Sequence, residues 1–204
     1  MNSGTAAPPK LSDQLERWLT GKGDKTLGGL VDAFGDKSFA ILLVVLLAVP
    51  ALPLPTGGVT HVFEIIGALI ALELIAGRRE VWLPRRWRGL HLAGERQQRF
   101  IGGLMRLIRR LERISRPRLT FLFQRRVSDI VFGLLVVVGA AGAFLAPPFS
   151  GLDTLPALGV VVLSLGVLLE DALIAAVGVG LEVAGVTLEL ALGAAAIHGV
   201  SALF

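Results

Sequence analysis

The sequence GRREVWLPRRWRG (residues 77–89) begins an arginine-rich segment that runs to Arg126. All fifteen basic residues between Arg78 and Arg126 are arginines, and no Lys or Arg follows up to Phe204. Long apolar runs flank the segment on both sides. Basic loops between apolar segments stay on the cytoplasmic side of membrane proteins. The pattern therefore predicts an all-α, polytopic membrane protein whose arginine-rich middle is cytoplasmic.

The composition agrees with membrane residence. Of the 204 residues, 53% are hydrophobic and only 18% are charged, and the mean hydropathy is +0.71. The formal net charge of +4 arises in the arginine-rich segment, whereas the apolar regions carry mainly acids. No aromatic residues alternate with the arginines in the manner of a nucleic-acid-binding module. We therefore predict no nucleic-acid partner.

Sequence motifs of enzymes and metal sites are missing. The chain contains no cysteine, which excludes disulfides, thiolate metal sites and cysteine nucleophiles. It also lacks a phosphate-binding loop, a zinc-binding helix motif, a dinucleotide-binding glycine pattern and a nucleophile elbow. We predict no cofactor, no metal and no enzymatic activity; the alternative is a catalytic site that consists of carboxylates and arginines at the membrane face.

The charge and hydropathy pattern divides the chain into five segments. These are an amphipathic, cytoplasmic or interfacial segment (1–37), a first hydrophobic hairpin (38–77), the arginine-rich interfacial segment (78–127), a second hydrophobic hairpin (128–171) and a C-terminal membrane segment (172–204). The first segment contains two short amphipathic helices, predicted at 11–20 and 26–34. A basic amphipathic helix ending before Pro117 is predicted to lie in the membrane interface.

Each predicted hairpin consists of two apolar runs separated by prolines and glycines. The tip residues are Pro53, Pro55 and Gly58 in the first hairpin and Pro147, Pro148 and Gly151 in the second. Several arms are shorter than the roughly 20 residues of a straight membrane span. Two short spans and a re-entrant hairpin both fit this pattern. We favour hairpins whose ends are cytoplasmic.

The two hairpins resemble each other in sequence. At an offset of 93 residues Phe39 aligns with Phe132, Pro55 with Pro148, and Gly58 with Gly151. The aligned Pro and Gly carry more information than the apolar matches, because apolar segments agree by composition alone. An internal repeat of this kind is typical of membrane transporters.

The C-terminal segment is long for one span and short for two. We expect one tilted span near 183–203, preceded by a short half-helix that breaks around Gly178 and Gly180. Small residues in this segment suit close helix packing, namely Gly185, Gly193 and Ala196.

Several short motifs occur in a characteristic order. They are Gly77 to Pro84, Arg116-Pro117-Arg118, Pro147-Pro148 and Glu170-Asp171. This combination resembles the ExoD family, bacterial membrane proteins associated with exopolysaccharide synthesis, over nearly the whole chain. The resemblance implies a multi-pass protein of the bacterial inner membrane. The family often has Gln where Glu73 stands and Arg-Asp-Gly where Glu170-Asp171-Ala172 stands, so a pocket formed there would differ in charge.

Acidic residues inside or beside apolar runs are candidate proton, cation or pairing sites, because a lone embedded carboxylate is costly. They are Glu73, Glu170, Asp171, Glu182 and Glu189. For Glu73 the alternative is an ion pair with Arg78 or Arg79. The last two acids lie two turns apart, on one helical face that either lines a polar path or pairs with backbone groups.

Other acids have equally open interpretations. Asp171 and Glu170 either form salt bridges with Arg116 or Arg118, or belong to a proton or lipid-phosphate site. Glu64 and His61, near the first tip, form a relay or face periplasmic water. His198 has no neighbouring ligand type and is not a candidate.

Five arginines are candidate contacts for an anionic lipid phosphate, because the guanidinium fork matches phosphate geometry. They are Arg78, Arg79, Arg85, Arg116 and Arg118. The alternative is that they only orient the chain and anchor it to the membrane surface. The expected partners are membrane lipids, with polysaccharide-synthesis proteins and a homo-oligomer as further candidates.

Together these features predict support of exopolysaccharide synthesis or export by moving or binding an anionic lipid carrier, or by proton coupling. The competing hypothesis is a scaffold that binds synthesis enzymes through its arginine-rich face.

Overall fold

A computed structural model describes residues 10–23, 25–52, 60–89, 95–116, 118–146 and 150–201. The described part is helical and contains no strand, which confirms the all-α prediction. Of the predicted tip residues, Gly151 is described and adopts φ +70°. The tip residues Pro53, Pro55, Gly58, Pro147 and Pro148 lie outside the described residues, as does the side chain of His198.

Nine α-helices occur in the described part of the chain. They are α1 (Leu11–Thr20), α2 (Leu27–Phe34), α3 (Ser38–Leu47), α4 (Thr60–Ile75), α5 (Arg85–Arg88), α6 (Glu95–Ile114), α7 (Arg126–Leu145), α8 (Thr154–Leu168) and α9 (Ala172–Ser201). The bounds of α1 and α2 agree with the prediction. The Thr26 hydroxyl accepts the backbone N–H of Gly29 at 3.1 Å, and Gly35 ends the helix at φ +49°.

The central helices α3 and α8 are buried on nearly all sides. Helix α3 packs against α8, α4 packs against α7, and α9 covers the other side of α8. Sequential helices also pair, α3 with α4 and α7 with α8. The result is an inner layer of two short helices, of 10 and 15 residues, between longer outer helices.

Glycines bring α8 and α9 into close contact. A Cβ atom added to Gly159 or Gly166 would collide with the α9 backbone at Glu182 or Ala175. Conversely, Gly178 lies against the backbone of Leu163, and Gly185 lies against Pro156. All four contacts fall on one antiparallel register, so the small residues act together as the packing surface.

Helix α9 is continuous from Ala172 to Ser201, so the predicted break around Gly178 and Gly180 is wrong. A glycine inside a helix costs only about 1 kcal/mol relative to alanine. Packing of Gly178 against α8 offsets that cost. Gly185 packs as predicted, whereas nothing lies within 4 Å of a Cβ at Gly193. The Ala196 side chain lies outside the described part.

The amphipathic helices pack on one another at the arginine-rich end. Helix α1 contacts α6, where Ser12 Oγ donates to Glu112 at 2.5 Å and Arg109 pairs with Glu16 at 2.7 Å. The apolar face of α6, including Leu104 and Ile108, is buried. This differs from the expected helix in the membrane interface, because protein covers much of its apolar face.

Two helices are long and apolar enough to cross a membrane, judged by length and composition. They are Arg126–Leu145 and the Ala172–Ala195 part of α9, with mean hydropathies of 2.1 and 1.8. Only 39% and 22% of these stretches are buried inside the protein. The outer face of α4 is also apolar and exposed, with Val62, Ile65 and Leu69 each about half accessible. The outer helices therefore present a broad apolar surface.

Candidate functional site

Glu182 is a buried carboxylic acid in the middle of α9, with 2% of its surface exposed. It lies between Gly139 of α7 and Gly159 of α8, where added Cβ atoms would overlap its side chain and its backbone. One oxygen of this carboxyl group, Oε2, has no hydrogen-bond partner among the described residues. The three helices thus enclose a carboxyl group that has an unused acceptor.

The acids of α9 share the face that packs on α8. Asp171, just before the helix, and Glu182 are eleven positions apart, and Glu189 follows after seven more. These spacings are close to three and two helical turns. Glu182 therefore lies about 16 Å along the axis from Asp171, and Glu189 about 10 Å further. This agrees with the common face predicted for Glu182 and Glu189.

A second group of acids lies where α4 and α8 begin. Glu64 is fully buried, and its Oε2 lies 2.7 Å from His61 Nδ1. The alternative in which Glu64 faces periplasmic water is therefore wrong, because helix packing covers it. The Thr60 hydroxyl lies 3.4 Å from a carboxylate oxygen of Asp153. The sequence analysis missed Asp153, although its position directly before α8 marks it as a candidate helix cap.

Glu73 lies near the C-terminal end of α4 and is half-buried. Its Oε2 accepts the backbone N–H of Trp82 at 2.8 Å. In the described part of the chain it forms no ion pair with Arg78 or Arg79, so that alternative does not hold. The carboxylate instead holds the segment after α4 against the end of that helix.

Asp171 is 1% exposed and accepts hydrogen bonds from the backbone of Arg116 and Leu173 at 2.9 and 3.0 Å. Burial by itself would raise the pKa of Asp171. These bonds, with others from the Ile174 backbone and the Ser115 hydroxyl, outweigh burial and hold the pKa below its ordinary value. The acid is therefore bound by backbone groups, rather than by the arginine side chains that the salt-bridge hypothesis named.

Glu170 stands beside it in a left-handed conformation, with φ 53°. Its carboxylate lies 3.4 Å from Lys37 Nζ, and its backbone carbonyl accepts the N–H of Arg118 at 3.2 Å. The turn between α8 and α9 is thus joined both to the start of α3 and to the segment after α6. We assign this joint a structural role, because the Glu170 carboxylate and its backbone carbonyl are both bonded to other groups of the protein.

The candidate arginines lie at the end of the bundle where α4 and α8 end. Arg78, Arg79, Arg85, Arg116 and Arg118 are all exposed. In the described residues none of the five forms a side-chain ion pair, unlike Arg88 and Arg109. Two cavities near this end, of about 370 and 240 Å³, are lined by other residues. The five arginines form an open basic rim rather than an enclosed pocket.

No group of three His, Cys, Asp or Glu side chains is placed to hold a metal ion in the parts of the chain that the structure describes.

The family model described as "Exopolysaccharide synthesis, ExoD" matches residues 11–191 of this chain. That match includes both helix pairs, the arginine-rich segment and most of α9. The chain belongs to the ExoD family. The family resemblance inferred from the short motifs is thereby confirmed.

Two relatives are similar in sequence to this ExoD-family chain. Protein ExoD of Rhizobium meliloti is 33% identical over 175 residues, which cover 84% of this chain and 71% of that protein. An uncharacterized protein of Synechocystis sp. is 33% identical over 143 residues, which cover 70% of this chain and 66% of that protein. The chain thus spans about two thirds of the length of these relatives. No solved structure matches this chain.

Proposed function

We propose that this ExoD-family chain is a non-catalytic, multi-pass protein of the bacterial inner membrane that supports exopolysaccharide synthesis or export. In this proposal, protons bound by the embedded carboxyl groups are coupled to the binding or transfer of an anionic lipid carrier on the cytoplasmic side. The family description and the name of the Rhizobium meliloti relative support the polysaccharide role.

The apolar surface supports the membrane location. Helices α4, α7 and α9 all expose apolar side chains, a property typical of lipid-facing helices rather than of a soluble core. The arginine-rich segment lies at one end of this surface, as the positive-inside rule requires of a cytoplasmic loop.

The inner helices support hairpins that only partly cross the bilayer. With 10 residues, α3 is about 15 Å long, or half of a typical hydrocarbon core. A helix of this length at membrane depth needs protein around it. Because α3 is buried on nearly all sides by its neighbours, that requirement is met.

The observation that carries the proposal is the carboxyl group of Glu182. A carboxyl in the middle of an apolar helix is costly and is usually functional. It has an unused acceptor and lies against glycines of two other helices. A residue needed only for packing has no reason to carry an unsatisfied acid. Protonation removes the charge, so the site is suited to binding and releasing a proton.

The open rim of five arginines supports the lipid part of the proposal. Exposed guanidinium groups without ion pairs at a membrane surface attract anionic headgroups. The same exposure favours the second candidate function, a scaffold that binds synthesis enzymes through these arginines. The two candidates differ in whether the buried acid is required.

A measurement of polysaccharide output distinguishes the two candidate functions. We would express Glu182→Gln, and as a matched control Glu80→Gln at an exposed acid, in a polysaccharide-producing host lacking its own copy. The coupling proposal expects Glu182→Gln to abolish output at normal protein levels in the membrane, while Glu80→Gln retains it. Normal output from Glu182→Gln, with loss of output from Arg116→Ala/Arg118→Ala, would establish the scaffold instead. Asp171→Asn is unsuitable for this comparison because its carboxylate has a structural role.

A further inference from the structure

The end of the bundle opposite the arginine rim contains a group of four titratable side chains, which we call the tip cluster. It consists of His61 and Glu64 of α4, Asp153 directly before α8, and Glu189 of α9. Three separate parts of the chain thus contribute to one place.

Glu64 is the buried centre of the tip cluster. Its side chain is 0% exposed, whereas that of His61 is 23% exposed. One Glu64 oxygen bonds to His61 at 2.7 Å, and the other, Oε1, has no hydrogen-bond partner in the described part of the chain. The His61 ring also packs edge-on against Phe144 at 5.2 Å between ring centres. His61 therefore connects the buried acid with the surroundings of the tip.

The other two acids complete the tip cluster. Asp153 is held beside the start of α4 by its contact with the Thr60 hydroxyl. Asp153 lies close enough to Glu64 and Glu189 for its charge to act on both, and the charge of Glu64 also acts on Glu189. A buried oxygen of Glu189 lacks a hydrogen-bond partner among the described residues, as Glu64 Oε1 does.

The charges of the tip cluster do not balance. The cluster contains three carboxyl groups and one imidazole, and the imidazole carries a positive charge only when it is protonated. The remaining helices that pack here supply no compensating cation in their described parts. The charged residues of α7 are Arg126 and Asp129, and both lie in its first turn, at the opposite end of the bundle. Helix α3 contains no charged residue. In a low-dielectric site, each negative charge makes ionisation of a neighbouring carboxyl group less favourable.

We infer that the tip cluster is a proton-binding site that takes up protons on the side of the membrane opposite the arginine rim. This inference rests on the proposed function, because it supplies the second proton site that a path through Glu182 requires. His61 gains a proton on Nε2 and passes the Nδ1 proton to Glu64 Oε2, which leaves the imidazole neutral as the Nε2–H tautomer; a ring flip or tautomer exchange then restores the Nδ1–H form before the next transfer.

The geometry favours a proton over a metal ion. A metal site needs several ligands around one point, and no such group occurs among the described residues. Glu189 and Glu182 lie on the same face of α9, about 10 Å apart along the helix axis. Glu189 of the tip cluster and Glu182 therefore lie at two depths along α9.

Infrared spectroscopy of the full chain tests this inference directly. The protein would be reconstituted in vesicles of phosphatidylethanolamine and phosphatidylglycerol, and the carbonyl stretch of protonated carboxyl groups followed between pH 5 and 9. We expect one titrating band to be lost in Glu64→Gln and kept in the exposed-acid control Glu80→Gln. After a pH jump, His61→Gln should slow the appearance of this band by about 100-fold.

A set of variants covers the case in which Glu64→Gln fails to fold. Asp153→Asn and Glu189→Gln, at partly exposed positions, should each change the midpoint of the Glu64 band because each removes a neighbouring charge. The inference is overturned if folded Glu64→Gln keeps every titrating carboxyl band, or if neither neighbouring variant changes a midpoint.

The failure of this inference is distinguishable from failure of the proposed function. Loss of the Glu64 band together with normal polysaccharide output from Glu182→Gln would leave the proton site in place and refute the coupling. An unchanged set of bands in Glu64→Gln, with output abolished by Glu182→Gln, would refute the tip cluster alone.

Discussion

The Thr60 hydroxyl lies 3.4 Å from a carboxylate oxygen of Asp153, and these two residues are separated by the same 93 positions that align the two helix pairs in sequence. Other contacts follow the same offset. The carbonyl oxygen of Ile75, at the end of α4, accepts from Arg126, and the equivalent carbonyl of Leu168, at the end of α8, accepts from Lys37. Arg126 and Lys37 each lie at the start of one helix pair and bond to the C-terminal end of the other pair, so the contacts between the two pairs are reciprocal.

The turns after α4 and α8 correspond as well. Gly77 and Glu170, again 93 positions apart, both adopt positive φ. The following residues, Arg78 and Asp171, donate to carbonyls five positions earlier at 3.1 and 2.9 Å. This is the Schellman arrangement of a helix C-terminus. The two helix ends therefore have the same turn geometry, while the internal repeat itself stays a prediction.

Substitution of Gly178 tests the close approach of α8 and α9. A Cβ at this position would collide with the backbone of Leu163, which cannot move aside as a flexible side chain can. We expect Gly178→Ala to lower the free energy of unfolding by about 1–3 kcal/mol. Gly180→Ala, two positions away with open space around it, is the matched control and should be neutral or slightly stabilising. Equal thermal unfolding temperatures for the two purified variants would contradict the packing described for α9.

Substitution of Gly77 separates backbone strain from steric collision. Gly77 has φ +92°, and a Cβ there would overlap the Arg126 guanidinium. Gly151 has φ +70° and open space. We expect Gly151→Ala to destabilise the protein by about 1 kcal/mol from strain alone. Gly77→Ala should cost more, because the displaced guanidinium loses its hydrogen bond to the Ile75 carbonyl. Thermal unfolding of both variants measures the difference. If Gly77→Ala is no worse than Gly151→Ala, the guanidinium does not occupy the position beside Gly77.

Asp171 predicts a dependence of stability on pH. Because its folded pKa lies below the ordinary value of 3.8, its contribution is fully present above that value and is lost as pH falls through the folded pKa. We expect Asp171→Asn to lower the free energy of unfolding near neutral pH by about 1–3 kcal/mol. Between pH 5 and pH 2 the variant should lose less stability than the unsubstituted protein.

Asp13→Asn, at an exposed acid of α1, provides the control for this experiment. Unfolding temperatures measured across the pH range should be nearly the same for this variant and the unsubstituted protein. Parallel pH curves for Asp171→Asn and the unsubstituted protein would show that the buried carboxylate is not the acid-sensitive group.

Cysteine labelling tests the proposed orientation. The native chain has no cysteine, so a single introduced thiol is the sole reactive site. Ser150 and Glu80 are exposed at opposite ends of the bundle. We expect Ser150→Cys to react with a membrane-impermeant thiol reagent in intact cells, and Glu80→Cys to react only after the membrane is opened. The reverse pattern would place the arginine rim outside and refute the proposed topology.

Much of the local structure could be predicted because it depends on neighbours in sequence. The Thr26 cap, the glycine stop at Gly35 and the shared face of Glu182 and Glu189 all follow from spacing along one helix. The prediction for α9 failed because local glycine propensity was given more weight than packing. Gly178 costs little inside the helix and permits the contact with α8 that stabilises it.

By itself, the sequence determined the helical class, the arginine-rich segment between two apolar regions, and the family. These depend on composition, periodicity and short motifs, all of which are properties of one continuous stretch. Only the tertiary structure decided that Asp153 lies beside the start of α4, that backbone groups bind Asp171, and that glycines enclose Glu182. Helical periodicity shows which residues share a face, but the partner that covers that face comes from a distant part of the chain and is selected by packing.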